Sequence, residues 1–202
     1  EARVTTITSA QDAAGLRPDA VTIGAGFDAD APEVLAGLRE IAGELIAWVD
    51  SGTVLLAVGL GWEMLSHSLE LDGADPLSGI GIFAGRSVAS ERHVGRISVD
   101  SEWGALTGYE YHLRDYVLGG GERFLGTVAS AEGAVRGTAY GTGIRGPVLA
   151  RNPVFADHLL EIAATHAGLE PANETPDERL TTADDHAAKA NVIVRRALGL
   201  SA

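Results

Sequence analysis

Apolar and polar positions alternate along the first half of the chain in the way that produces a parallel sheet with crossover helices. Short β-branched runs at residues 2–7 and 20–23 predict two strands. From Asp30 to residue 49, apolar residues recur at helical spacing and predict one long helix with Asp30 as its N-cap. The uninterrupted apolar run at 54–58 predicts a strand covered on both faces. This order of strands and helices predicts an α/β fold.

The second half changes to short β-rich segments separated by glycines, which predict antiparallel additions to the sheet. These segments are residues 80–83, 94–99, 106–111, 124–129 and 135–140. Helical spacing returns at 153–166, with Asn152 as a candidate N-cap, and at 183–198. We therefore predict a mainly parallel sheet flanked by helices in a three-layer arrangement, within a single domain spanning residues 1–202.

The turn after the apolar strand is a candidate active-site turn. Gly59, Leu60 and Gly61 follow the strand directly, and residues 62–71 continue with helical spacing. A tight glycine turn between strand and helix lifts one residue above the sheet and aims backbone N–H groups at a ligand. A close-packed connection without any chemistry explains the same glycines. At this point both interpretations stand.

The net charge and the cysteine content limit the classes of function that the protein can have. Fifteen Lys and Arg residues against 28 Asp and Glu give a formal charge of −13, which disfavours nucleic-acid and membrane-surface partners. The chain contains no cysteine, which removes disulfides, cysteine-ligated metals and any thiol nucleophile. No basic-then-apolar leader and no run of about 18 apolar residues is visible, so we expect a cytoplasmic protein without membrane insertion.

Other local motifs are weak. The six histidines show no metal-ligand spacing, so we expect neither a metal site nor a cofactor. The glycines at 119–121 predict a hairpin loop. Glu110 and His112 are two residues apart on a predicted strand and therefore share a face, which makes them a candidate acid–imidazole pair. An exposed surface pair is the alternative interpretation.

A series of motifs along the chain resembles one family. The motifs are Gly24-Ala25-Gly26-Phe27-Asp28, Gly59-Leu60-Gly61-Trp62-Glu63-Met64-Leu65, Gly79-Ile80-Gly81, Arg92-His93-Val94-Gly95, Gly108-Tyr109-Glu110-Tyr111-His112, Glu132-Gly133-Ala134, and Gly141-Thr142-Gly143-Ile144-Arg145-Gly146-Pro147 with Asn152-Pro153 and Ala156-Asp157 after it. The chain resembles the class I glutamine amidotransferase domain of the cobyric acid synthase type, and within that family the glutaminase subunit of lipid II isoglutaminyl synthase. The likeness runs from about residue 21 to residue 198. It implies that the family's first strand and helix are missing ahead of Glu1.

The two reactive positions of that family are altered. A cysteine on the turn after the central strand attacks the side-chain amide of glutamine, and a histidine before the Gly-Pro pair activates it. The resemblance puts Gly59 at the cysteine position and Arg145 at the histidine position. Glycine has no side chain to act as a nucleophile, and a guanidinium does not deprotonate in a protein. The resemblance therefore implies a domain without the usual glutaminase activity.

The resemblance also implies a set of binding positions. Arg92 matches the arginine that holds glutamine and is a candidate carboxylate ligand, with a plain surface arginine as the alternative. The family's oxyanion loops correspond to Gly24, Gly26, Leu60 and Gly61.

Arg145 places a cation where the family has a neutral imidazole. We expect it to bind a small anion or to form a salt bridge with Glu63 or Glu110.

Three functional hypotheses follow from these residues. The first is a catalytically degenerate domain acting as a binding, regulatory or scaffold subunit, with glutamine or another small anion as ligand and a Mur-ligase-like subunit as partner. The second is a glutaminase subunit that supplies ammonia to such a ligase for lipid II amidation, or to a cobyric acid synthase-type ligase. The third is a different chemistry in the same pocket that uses Glu63, Glu110 or His112. Ser66 and His67 are further candidates for replacing the lost groups.

Overall fold

A computed structural model describes residues 3–127, 131–170 and 177–201 of the chain. Its helices are α1 (Ala10–Ala13), α2 (Ala31–Glu40), α3 (Ala42–Asp50), α4 (Leu60–Met64), α5 (Val148–Arg151), α6 (Pro153–His166) and α7 (Glu178–Ala197). Its strands are β1 (Ala20–Ile23), β2 (Val54–Val58), β3 (Ser68–Leu69), β4 (Leu77–Ser78), β5 (Arg86–Ser101), β6 (Gly104–Val117), β7 (Gly126–Thr127), β8 (Ala131–Glu132), β9 (Ala134–Arg136) and β10 (Ala139–Thr142). This composition confirms the predicted α/β class.

The central sheet contains four strands in the order β1-β2-β10-β9. β2 is parallel to β1, with Val54 opposite Ala20, and parallel to β10, with Leu55 opposite Ala139. β9 is antiparallel to β10. The predicted parallel sheet with antiparallel additions is confirmed.

β2 is buried on both faces, as its uninterrupted apolar sequence predicts. Leu55 and Ala57 pack into one core cluster together with Trp48 of α3. Leu56 packs into another cluster together with Phe155 of α6. Both faces of β2 are therefore covered. The carboxyl ends of the strands are where ligand sites of α/β sheets are usually found.

A second sheet has the order β4-β3-β5-β7-β8, with β6 paired to β5. β5 and β6 form a long antiparallel hairpin in which His93 lies opposite His112. Side chains alternate between the faces of a strand, so His93, Glu110 and His112 share one face and Tyr109 and Tyr111 share the other. The predicted strands at 94–99 and 106–111 are confirmed as the middle of this hairpin.

Two predicted strands are wrong. Residues 3–7, the described part of the segment 2–7, contain no strand, and β1 lies at the edge of the central sheet instead. Residues 80–83 form a loop in which Ile82 and Phe83 are buried in the core. These apolar residues serve packing and not strand pairing.

Other β predictions are confirmed in part. The segment 135–140 is divided between β9 and β10 by a turn at Gly137, whose φ is 58°. Within the segment 124–129 only β7 is a strand, and residues 128 and 129 lie outside the described residues. The glycines at 119–121 form a turn but no hairpin, because Arg123 after them pairs with Val135 and not with β6.

The helix predicted at 62–71 is wrong beyond Met64. α4 ends there, and residues 68–69 form β3. The Ser66 hydroxyl donates hydrogen bonds to the carbonyl oxygens of Glu63 and Ser68, the second at 2.9 Å. A serine that binds nearby carbonyls in this way gives the backbone an alternative to continuing the helix.

The helix predicted from Asp30 to residue 49 is interrupted. Ile41, with φ −112° and ψ 12°, separates α2 from α3. The Asp30 side chain does not cap α2, which is preceded by a short 3₁₀ turn at Asp28–Asp30. The predicted helical segment and its apolar face are confirmed. The predictions of one continuous helix and of an Asp30 side-chain cap are wrong.

The two C-terminal helices are confirmed. α6 has the predicted bounds, and α7 begins earlier than the predicted residue 183. Asn152 is not a side-chain cap of α6. Its Oδ1 accepts from the Thr107 N–H at 2.8 Å, and its Nδ2 donates to the carbonyl oxygens of Thr107 and Val148. This buried amide therefore ties the hairpin to α5.

Among the described helices, none combines the length and the apolar character that a membrane crossing requires.

Candidate functional site

Gly59 sits at the carboxyl end of β2 in a conformation that residues with side chains rarely adopt. Its φ is 56° and its ψ is −129°, and its N–H donates to the carbonyl oxygen of Thr142 at 2.7 Å. A sharp strand-to-helix turn of this kind lifts the turn residue above the sheet, as in nucleophile elbows. The backbone at Gly59 therefore has the shape of a reactive turn while the residue itself carries no reactive group.

Arg145 occupies the space beside this turn. A Cβ atom at position 59 would lie 3.4 Å from Nη2 of Arg145 and 3.2 Å from Cβ of Ala25. The Arg145 backbone is held by its N–H, which donates to the carbonyl oxygen of Tyr109 at 2.7 Å. Its guanidinium carbon lies 5.7 Å from the centre of the Tyr111 ring. The structure thus brings Gly59 and Arg145, the two positions that the resemblance singles out, next to each other.

The expected salt bridge from Arg145 to Glu63 or Glu110 is wrong. Within the described residues, neither carboxylate lies within ion-pair distance of Arg145. Glu63 binds Arg114 instead, and the Glu110 carboxylate lies 3.6 Å from Nε2 of His112. The Nε–H of Arg145 is buried and has no hydrogen-bond partner in the part of the chain that the structure describes.

Arg114, by contrast, is the centre of a buried ion cluster beneath the turn. Its two Nη groups donate to the two carboxylate oxygens of Asp28 at 2.8 and 2.7 Å. Its Nε and Nη2 donate to Oε2 of Glu63 at 2.9 and 2.7 Å. Arg114 and Glu63 are 4% and 7% exposed, so this pairing compensates charges that have been removed from water.

The cluster shifts the ionisation of its members. Hydrogen bonds from Arg114 hold the pKa of Asp28 below its ordinary value, against the opposing effect of burial. Burial lowers the pKa of Arg114, but its hydrogen bonds to Asp28 and Glu63 outweigh that effect and raise the pKa. Both shifts favour the charged forms.

Two stacked imidazoles form another wall of the site. The rings of His93 and His112 are 4.8 Å apart at 20°. The Nδ1 of His112 is 2.7 Å from the carbonyl oxygen of Arg114, so it carries the proton and donates it. The prediction that Glu110 and His112 share a face is confirmed by their 3.6 Å separation. On the other ring, Nε2 of His93 lies 3.2 Å from Asp115.

Glu132 is a buried carboxyl group next to these rings. Its Oε1 accepts from the hydroxyl of Thr142 and from the N–H of Gly143, the latter at 2.9 Å. Burial raises the pKa of Glu132, and the hydrogen bonds and the nearby His112 oppose this effect only in part. The proton-bearing form is therefore favoured over a wider pH range than in an exposed glutamate.

These groups enclose one small cavity of about 60 Å³. The carboxylate, guanidinium and imidazole side chains that line it are Glu63, His93, Glu110, His112, Arg114, Asp115, Glu132 and Arg145. Gly59 and Trp62 complete the wall at the turn. In the described residues, no group of three or more His, Asp or Glu side chains is arranged to hold a metal ion.

The glycine loops predicted to form the oxyanion site lie against each other. A Cβ at Gly61 would lie 2.4 Å from the carbonyl oxygen of Gly24, and a Cβ at Gly26 would lie 3.5 Å from Leu60. Substitution at Gly61 would therefore force the two loops apart. Their predicted part in oxyanion binding stays a prediction.

Arg92 lies outside the cavity wall. It is exposed beside the β5 bulge, with its guanidinium carbon 5.7 Å from the centre of the Tyr111 ring. Tyr111 therefore contacts both Arg92 on the surface and Arg145 in the site. The role of Arg92 in holding a carboxylate stays a prediction.

Sequence reasoning assigned no role in the site to four groups that line or support the cavity: Asp28, Trp62, Arg114 and Glu132. Arg114 had a usable signal, because it follows Glu110 and His112 at the two-residue period of one strand face. Glu132 belongs to one of the motifs of the resemblance, Glu132-Gly133-Ala134, but that motif gave the glutamate no role. Ser66 and His67 do not line the cavity, and the Ser66 hydroxyl is engaged by backbone carbonyls.

Comparison with solved structures finds related folds. A crystal structure of a glutamine amidotransferase superimposes with a TM-score of 0.60 at 18% identity, covering 78% of this chain and 85% of that chain. A glutamine amidotransferase from Thermotoga maritima superimposes with a TM-score of 0.50 at 13% identity, covering 89% of this chain and 74% of that chain. At these identities the likeness establishes the fold.

Comparison of sequences gives the family. No curated protein matches the chain significantly. The sequence profile of the CobB/CobQ-like glutamine amidotransferase domain matches residues 1–153, which include the turn at Gly59, the hairpin and Arg145. The chain therefore belongs to the CobB/CobQ-like glutamine amidotransferase domain family.

Proposed function

We propose that this domain is a catalytically degenerate glutamine amidotransferase that serves as a binding, regulatory or scaffold subunit. The observation that carries this proposal is the closeness of Gly59 and Arg145, since a Cβ atom at position 59 would lie 3.4 Å from Nη2 of Arg145. The resemblance expects a nucleophile and its base at these two positions. A glutaminase of this family needs a thiolate and an imidazole at these positions, and the sequence supplies neither.

Other side chains do not restore the lost pair. The hydroxyl of Ser66 is buried and hydrogen-bonded to two carbonyl groups, and His67 is exposed away from the cavity. His112 lines the cavity and could act as a base. Among the described residues that line the cavity, Ser87 is the only one with a hydroxyl or thiol group of the kind a base activates in a nucleophile, apart from the phenol of Tyr116, and Ser87 is buried. Removing members of a nucleophile–base pair typically costs several orders of magnitude in rate.

The limited space in the site also supports this proposal. The cavity of about 60 Å³ is small for an amino acid the size of glutamine, since a single water requires about 10–15 Å³ by this measure. Arg145 fills part of the volume next to Gly59. Binding of whole glutamine would require this side chain to move.

Ammonia release from glutamine by the purified protein tests the proposal. We expect no release above that of a buffer blank, both for the unaltered protein and for Arg92→Gln. The paired substitution Gly59→Cys with Arg145→His is the informative comparison, because it reintroduces both reactive groups on a backbone that already has the turn geometry. Ammonia release by the unaltered protein would overturn the proposal.

The glutaminase alternative is favoured by one observation, the elbow-like backbone at Gly59. In that alternative, a Mur-ligase-like partner supplies the nucleophile and receives the ammonia. Ammonia release that appears only when such a ligase subunit is added would support it. Absence of release in the presence of the ligase, with complex formation shown by gel filtration, would favour the degenerate subunit.

A further inference from the structure

A second cavity, of about 400 Å³, lies between the turn of the β5–β6 hairpin, the start of α6 and the second half of α7. We call it the α7 cavity. Among the described residues, none lines both the α7 cavity and the small cavity at Gly59. Cavities that hold small molecules in proteins usually measure about 300–1,000 Å³. The α7 cavity is therefore large enough for a ligand of that kind.

The α7 cavity lies at the edge of the region that the family profile matches. That match ends at residue 153, so α7 lies beyond it. α7 is a polar helix in which Ala187 and Val194 are the buried residues. Ligand pockets occur preferentially where separate structural units meet, and here the hairpin of the family domain meets a helix outside the matched region.

Apolar side chains form most of the walls of the α7 cavity. Leu106 is buried, and Trp103 and Val192 are half-buried. Val154 and Ala188 are exposed. An apolar molecule bound here removes its own surface and the surface of these walls from water, which favours binding.

The indole ring of Trp103 is a wall that its neighbours already hold in place. Its ring centre lies 5.0 Å from that of Phe155, 4.9 Å from that of His158 and 5.7 Å from that of Tyr140. Aromatic rings attract each other at these separations. Because the indole is already ordered, a ligand ring that packs on it does not have to order it first.

The charged groups of the α7 cavity compensate each other. Nη1 of Arg195 donates to Oδ1 of Asp100 at 2.6 Å and to the hydroxyl of Ser98 at 3.2 Å. Asp100 and Arg195 are the charged side chains among the described residues that line this cavity. An ionic ligand would therefore find no uncompensated opposite charge here, and the lining favours a neutral one.

Asn191 offers a hydrogen-bond donor to such a ligand. Its Nδ2 donates to the carbonyl oxygen of Ala105 at 3.3 Å, and its Oδ1 accepts from the hydroxyl of Thr107. A side-chain amide carries two N–H groups, so one N–H of Asn191 has no partner in the part of the chain that the structure describes. Asn152, the other amide of the lining, uses its Nδ2 for two carbonyl oxygens.

We propose that the α7 cavity binds a small, neutral aromatic molecule with one hydrogen-bond acceptor. The ring system packs against Trp103, Leu106 and Val192, and the acceptor binds the remaining N–H of Asn191. The α7 cavity is separate from the turn at Gly59, so this inference goes beyond the proposed function and does not depend on it.

The fluorescent naphthalene ketone prodan tests the proposal, because it is neutral, has two fused rings and carries one carbonyl acceptor. Its emission moves to shorter wavelength when it leaves water for an apolar site. We hold prodan at a fixed low concentration and titrate the full chain. A saturable blue shift is expected, with a dissociation constant on the order of 10 to 100 µM.

Competition by unlabelled naphthalenes tests the chemical class. We expect neutral 2-acetonaphthone to displace prodan at about a tenfold lower concentration than the anion 2-naphthoate. We expect 2-ethylnaphthalene, which has no acceptor, to displace prodan less well than 2-acetonaphthone. Equal displacement by 2-naphthoate would contradict the neutral class, and equal displacement by 2-ethylnaphthalene would contradict the Asn191 contact.

Two substitutions in α7 locate the binding site. Ala188→Phe places a ring in the α7 cavity and is expected to weaken prodan binding about tenfold or more. Ala183→Phe is the matched control, because Ala183 is also an exposed alanine of α7 but does not line the cavity. We expect this control to bind prodan as the parent does.

Two results would overturn the inference. One is the absence of saturable prodan binding by the parent chain. The other is equal binding by Ala188→Phe and Ala183→Phe, because prodan would then occupy another surface. Ammonia release from glutamine would overturn the degenerate function and leave a measured prodan affinity in place, so the two proposals fail separately.

Discussion

Two arginines flank the turn at Gly59, and their surroundings are opposite. Arg114 is almost fully buried and donates four hydrogen bonds to the carboxylates of Asp28 and Glu63. Arg145 lies beside Gly59, and its Nε–H is unpaired in the described residues. Arg114 therefore has the surroundings of a structural residue, whereas no carboxylate of the described residues lies at ion-pair distance from Arg145. Both side chains line the same cavity, and they differ in whether carboxylates compensate their charge.

Substitution of Arg114 is expected to give the largest effect. Arg114→Met leaves Glu63 buried and Asp28 partly buried without their counter-ion, which typically costs about 3–5 kcal/mol of unfolding free energy. Arg145→Met strands no carboxylate at ion-pair distance and removes an unpaired buried donor, so its expected change is within about 1 kcal/mol. Urea denaturation of both variants at neutral pH measures the difference.

The stabilities of the Arg114→Met and Arg145→Met variants can also contradict the proposed difference between the two arginines. Equal losses of stability in both would mean that Arg145 is as structural as Arg114. A double substitution of Arg114→Met with Glu63→Met then serves as the control. It removes both buried charges, so we expect it to recover part of the loss.

Substitution of the turn glycine is expected to have an intermediate effect. Gly59→Ala forces a side chain into φ 56° and ψ −129° and brings its Cβ to 3.2 Å from Ala25. Such strained positions cost about 1–3 kcal/mol. Gly37→Ala is the matched control, because Gly37 lies within α2 with open space at its Cβ position, and alanine there is expected to stabilise by roughly 0.5–1 kcal/mol.

Thermal unfolding of Gly59→Ala and Gly37→Ala is followed side by side. If the Gly59→Ala protein is as stable as the parent, a side chain at position 59 causes no backbone strain. The interpretation of Gly59 as a strained strand-to-helix turn would then be wrong.

The smallest effect is expected at Glu132 and depends on pH. Burial raises the pKa of Glu132 above its ordinary value of 4.5, so the folded protein retains a proton that the unfolded chain loses. The stability of the parent protein therefore falls as the pH rises from the ordinary value through the raised one. Glu132→Gln is neutral throughout and can still accept from Thr142 and Gly143. We expect it to equal the parent near pH 4 and to be more stable near pH 8.

Denaturation curves across this pH range measure the effect at Glu132. A parent protein whose stability relative to Glu132→Gln rises with pH would contradict the predicted direction of the shift. Thr142→Val, which removes the hydroxyl donor, is expected to steepen the loss, because that hydrogen bond favours the ionised form.

The sequence predicted the parts of this molecule whose pattern is local. The apolar run at β2 predicted burial on both faces, and the two-residue period predicted that Glu110 and His112 meet. The helix expected at 62–71 failed because Leu65 and Leu69 satisfy helical spacing while serving a turn and a strand. Apolar residues at positions i and i+4 fit both outcomes when the segment is this short.

The ion cluster could not be predicted because its members are distant in sequence. Arg114 lies 86 residues from Asp28 and 51 residues from Glu63. Only the three-dimensional arrangement assigns Glu63 to Arg114 instead of Arg145. The acidic side chain of Glu63 after the turn is visible in the sequence, but its counter-ion is not.

The pairing of β2 with β10 has a consequence for synthesis on the ribosome. β2 is complete at residue 58, whereas its parallel neighbour β10 and the Thr142 carbonyl that binds Gly59 are made more than 80 residues later. During that interval one edge of an apolar strand has no partner. The nascent chain therefore passes through a state in which β2 is exposed to other unpaired strands, and the cavity closes only after Arg145 has been added.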